Sequence, residues 1–78
     1  MTMPFDIQLT AADRKKLLHA YRTAKDYLQR VRVHVLLMLG DGLSVDEVQA
    51  VTFADEAQVA NAVRLFREGG VAEVLQED

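Results

Sequence analysis

Apolar residues spaced three and four apart, in blocks cut by short turn-forming strings, constrain this chain more than any other feature. Leu28, Val31, Val35 and Met38 form one such row, widened by Leu36 and Leu39. That spacing gives a helix a continuous apolar face. Val33 and Leu37 make the end of the segment apolar nearly all round, which predicts burial between other helices. The string "GDG" stops it, because Gly40 and Gly42 tolerate the left-handed geometry common at helix ends. The spacing therefore predicts a helix over approximately Ala24 to Leu39.

The same logic predicts three more helices. Thr10, with Asp13 three residues on, resembles a capping box and opens the first. Its buried stripe is Leu17, Leu18 and Tyr21, with Arg14, Lys15 and Arg22 outside or at the edge. Ser44 and Glu47 make a second capping box, and Val45, Val48 and Val51 give the short helix that follows one apolar face. "TFAD" breaks that helix. A fourth runs from about Asp55 to Glu68, with Val59, Ala62, Val63 and Phe66 buried, and "GG" at 69–70 ends it. Val71, Val74 and Leu75 form a last apolar patch. Tyr21, Tyr27, Phe53 and Phe66 are read as core residues. At the start, Phe5, Ile7 and Leu9 alternate with Asp6 and Gln8, the period of a half-buried extended segment, and Pro4 limits it to an edge or arm. Such an arm packs on its own helices or pairs with another chain. The reading is an extended arm over residues 1–9 and an all-α domain of about four helices over 10–78.

Composition narrows the function. Seventy-eight residues make one domain, and at this size only about 60% of the unfolded surface is buried, so stability is marginal and dimerisation helps. The absence of cysteine excludes disulfides and thiolate metal sites and fits a reducing compartment. "MTMPFDIQLT" lacks the basic start and apolar run of a signal peptide. The run "VLLMLG" is far below the roughly 18 apolar residues of a membrane helix, so a cytoplasmic protein without a membrane partner is expected. His19 and His34 lack ligand partners at helical spacing, Ser44 is explained as a cap, and the glycines sit at helix ends. No metal, cofactor, catalytic residue or enzymatic activity is expected.

The net charge of −3 hides a division. Residues 10–34 carry seven lysines and arginines against Asp13 and Asp26, a local charge of +5. Residues 41–78 carry Arg64 and Arg67 against nine carboxylates, a local charge of −7. One half is basic and the other acidic, which points to a partner or to a second copy of the chain.

The two helices on either side of "TFAD" have the spacing of a helix-turn-helix. "LTAADRKKL", followed by "RVRVHVLLMLGDGLSVDEVQAVTFADEAQVANAVRLFREGGVAEVL", resembles the N-terminal DNA-binding region of mariner-type bacterial insertion-sequence transposases. The likeness lies in a leading Leu-Thr, an Arg-x-Arg before an aliphatic run, Gly-Leu-Ser, an acidic-aliphatic third helix and a fourth ending in Phe and Gly. It implies a homeodomain-like helix-turn-helix bundle and a double-stranded DNA partner. In that family the catalytic part is a separate domain with three metal-binding carboxylates, and nothing in this sequence resembles it. Two further departures are Ala62, where the family often has an aromatic, and an acidic start to the fourth helix, where the family's is often basic or hydroxylated.

Asp55, Glu56, Gln58 and Asn61 are the candidate base readers. Asn and Gln pair bidentately with adenine, and acids accept from cytosine N4. Arg30 and Arg32 match the family's Arg-x-Arg; with Arg14, Lys15, Lys25, Arg64 and Arg67 they are the candidate phosphate contacts. The leading expectation is a small, non-catalytic, transposase-derived DNA-binding domain, acting as a regulator. The alternatives are a protein-interaction or dimerisation module whose acidic fourth helix docks a basic partner, and a folded remnant of a transposase.

Overall fold

A computed structural model describes residues 7–76. Its regular elements are four helices: α1 over Ala11–Thr23, α2 over Tyr27–Gly40, α3 over Val45–Thr52 and α4 over Glu56–Val74. No strand occurs among the described residues, so the all-α expectation holds. No helix among them is long and apolar enough to cross a membrane.

Local hydrogen bonds set the helix starts. Thr10 and Asp13 form a reciprocal capping box on α1, and Ser44 and Glu47 form another on α3. A third, which the sequence reading missed, joins Asp55 and Gln58 at the head of α4. Each supplies acceptors for amide groups that the first helical turn leaves unpaired. α2 begins three residues later than the apolar pattern implied, because Asp26 caps it by accepting from the amide of Leu28 at 3.1 Å.

α2 packs against all three other helices, which explains its apolar circumference. It buries Val31, Val33, Val35, Leu36, Leu37 and Leu39. Leu17 from α1, Val48 from α3, and Val59, Ala62, Val63, Val71 and Val74 from α4 complete the core. Burying each such aliphatic side chain contributes about 1.5–3 kcal/mol, so α2 supplies the largest share of the stabilising surface.

Several predicted core positions lie outside. Leu28, in the first turn of α2, is 52% exposed, and Val51, in the last turn of α3, 53%. Tyr27 is 65% exposed and Phe53 86%, which corrects their reading as core aromatics. Tyr21 stands at the rim of the α1–α2 contact, its ring 5.1 Å from that of His34. Phe66 is half-buried against the core.

The N-terminal arm divides. Phe5, with residues 1–6, lies outside the described region, whereas Ile7 is buried and Leu9 half-buried in the chain's own core. Gly40 makes the room: a Cβ there would lie 2.5 Å from Leu9 Cδ1. The segment thus packs on its own helices and pairs with no strand among the described residues. At the other end the expected stop at "GG" is present as a break: Gly70 is non-helical and divides the helical run of α4 in two. Gly70 takes φ 71°, ψ −159°, a conformation open almost only to glycine, and kinks the helix so that Val71 and Val74 turn back into the core.

Candidate nucleic-acid interface

α3 and α4 are joined by the three residues Phe53–Asp55, and side chains fix this turn. Thr52, itself buried, donates its hydroxyl to the carbonyl of Val48 at 2.8 Å and accepts from the amide of Ala54 at 3.2 Å. The Gln49 carboxamide donates to the Ala54 carbonyl at 3.3 Å. Phe53 ends α3 in the left-handed conformation, φ 62°, ψ 14°. These contacts set the angle at which α4 leaves the turn.

At the head of α4, Asp55 Oδ1 accepts from the Gln58 amide at 2.8 Å, and Gln58 Oε1 accepts from the Asp55 amide at 2.9 Å. Two of the four candidate base readers are thus engaged with each other's backbone. Glu56 is exposed beside them. One turn on, Asn61 Oδ1 accepts from Arg64 Nη2 at 2.7 Å, while Arg64 Nη1 donates to both oxygens of Glu68 at 3.0 and 2.8 Å. The i, i+4 pair holds Arg64 along the helix with its side chain still 59% exposed. Arg67 is exposed on the same helix.

The tertiary structure brings one early arginine to this face. Arg32, from α2, lines a polar hollow of 210 Å³ with Asn61, Arg64, Leu65, Glu73 and Gln76. It also lines an adjoining one of 180 Å³ with Leu28, Val31, Gln58 and Asn61. Its Nε is buried without a hydrogen-bond partner. A buried donor left unsatisfied carries a desolvation cost.

The other cations go elsewhere. Arg14 forms a forked ion pair with Asp41, at the end of α2, one arm measuring 3.2 Å. The hydrogen bond raises the Arg14 pKa and lowers that of Asp41, with direct charge attraction acting the same way in both. Arg30 is turned back to donate to the Ala24 carbonyl at 2.7 Å. Lys15 and Lys25 lie at a separate groove beside the end of α4, with Lys16 and His19. The seven candidate phosphate contacts therefore do not form one surface: Arg32 and Arg64 meet beside Asn61, and Arg14, Lys15, Lys25 and Arg30 do not join them.

Besides the Asp55–Gln58 box, the sequence reading missed three features. Glu68 stands four residues from Arg64, a spacing open to inspection. Gln29, buried in α2, latches the C-terminal turn by donating to the Leu75 carbonyl at 2.8 Å, a pairing without local signature. The exposure of Phe53 was legible, since it lies in the breaker and belongs to no helical stripe. Comparison with models of protein families, with curated proteins and with solved structures finds no match to this chain.

Proposed function

We propose that this chain is a non-catalytic, cytoplasmic, transposase-like helix-turn-helix domain that binds double-stranded DNA through the face shared by α2 and α4. The observation that carries the reading is the meeting of Arg32 with Asn61 and Arg64. Two arginines share a hollow with an asparagine on a helix whose exposed Ala57 and half-buried Ala60 are small. α4 would lie in the major groove, with the Asn61 carboxamide at a base edge and Arg32, Arg64 and Arg67 toward phosphates. Asp55 and Gln58 serve first as the cap that starts the helix, and Glu56 opposes the polyanion.

Anisotropy titration of random duplex DNA over a range of salt concentrations tests the reading. Each phosphate contact contributes about 0.9 to the slope of log affinity against log salt. Replacing Arg32 by Ala should weaken binding and flatten the slope by about that amount. Absence of salt-sensitive binding at tens of micromolar protein ends the proposal.

A further inference from the structure

The structure leaves two surfaces of opposite charge at opposite ends of α4. The first is an open groove of about 840 Å³. Ala20, Ala24, Val71, Ala72 and Leu75 give it an apolar floor, and Lys15, Lys16, His19 and Lys25 stand around it. No carboxylate lines it among the described residues. The second is the corner between α3 and α4, where Phe53 and Val51 project, 86% and 53% exposed. Asp55 and Glu56 follow directly, and Glu47 shares a face of α3 with Val51, four residues away. The sequence has no lysine or arginine between Arg32 and Arg64, so the corner carries only negative side chains of its own.

We propose that the Phe53 corner of one copy docks into the lysine-rimmed groove of another. An aromatic side chain on an acidic turn is complementary, in polarity and in charge, to an apolar floor ringed by lysines. Phe53 adds a second argument. A non-glycine residue in the left-handed region is disfavoured, and a bulky aromatic there gains nothing from a core it does not touch. Its side chain is accounted for by a surface outside its own chain. Corner and groove are separated by α4, at about 1.5 Å per residue roughly 20 Å of helix, so one molecule cannot satisfy both. The contact is heterologous, and each copy bound leaves a free corner and a free groove.

The experiment is sedimentation equilibrium of the full chain without nucleic acid, so its outcome is separate from that of the DNA titration. The average mass should rise with concentration from 8.7 kDa past that of a dimer, and high salt should reverse the rise. Phe53→Asp, and separately the double variant Lys15→Glu with Lys25→Glu, should each remain at the single-chain mass while keeping the wild-type helical circular dichroism. Mixed in equal amounts, the two should form a dimer and nothing larger, since one intact corner and one intact groove remain. A wild type that stays monomeric at millimolar concentration overturns the proposal, as does association that survives either variant. A mixture that fails to pair overturns it as well. A closed dimer indifferent to both changes would place self-association on another surface.

Discussion

Phe53 shows how one position can set local preference against side-chain placement. Glycine or asparagine is the usual occupant of the left-handed position at a helix end, because a Cβ there crowds the following carbonyl. Phe53 holds that conformation with its ring in solvent. Replacing it by glycine should therefore stabilise the fold by about 0.5–1 kcal/mol, the backbone relief being partly offset by the greater freedom of glycine when unfolded. Urea denaturation would show a higher midpoint at unchanged slope. The same variant should lose self-association, which separates what the residue does for the fold from what it does for contacts. Arg32 makes a parallel case: it is half-buried and retains a buried, unpaired Nε, a desolvation cost that its place between α2 and α4 imposes.

At the scale of the element, the starts of α1, α3 and α4 are fixed by reciprocal hydrogen bonds between residues three apart. The box on α3 has a titratable member. Glu47 accepts from the backbone amide of Ser44, and this holds its pKa below the ordinary value. Asp41, paired with Arg14, is likewise depressed. For a carboxylate lowered in the folded state, the stabilisation is present above the unfolded pKa and disappears as pH falls through the folded one. Thermal stability should thus hold down to about pH 4, near the usual carboxylate values, and decline below it. Glu47→Gln keeps a side-chain acceptor without the charge, so it should flatten that decline in a melting series across pH 2–7, a range set by about two units either side of those values. An undiminished decline would assign the acid sensitivity to other carboxylates. Of the elements themselves, α2 was the most legible, because an apolar circumference has one physical solution: a place between other helices.

Across the whole molecule, the charge division seen in the sequence becomes a division in space only in part. Lys15, Lys16 and Lys25 gather at one end of α4, and Asp55 and Glu56 stand at the other. Arg32 and Arg64 meet between them. Reversing Glu56 alone to Lys tests whether that acidic end approaches a duplex. It leaves the Asp55–Gln58 cap intact, and it should tighten DNA binding and steepen the salt slope by about 0.9 if the new ammonium reaches a phosphate. An unchanged titration would mean that the head of α4 stays clear of the groove.

The sequence by itself determined the four helices, two of their capping boxes and the central place of α2, because these depend on residues three or four apart and on the period of an apolar face. Packing alone decided which side chains meet. Arg14 and Asp41 are 27 positions apart, and Gln29 and Leu75 are 46 apart, so no local pattern announces either pair. Packing also decided that Tyr27 stays in solvent, and where the apolar patch after Gly70 is buried. A helical period states which residues share a face; only the neighbouring helices state whether anything covers it.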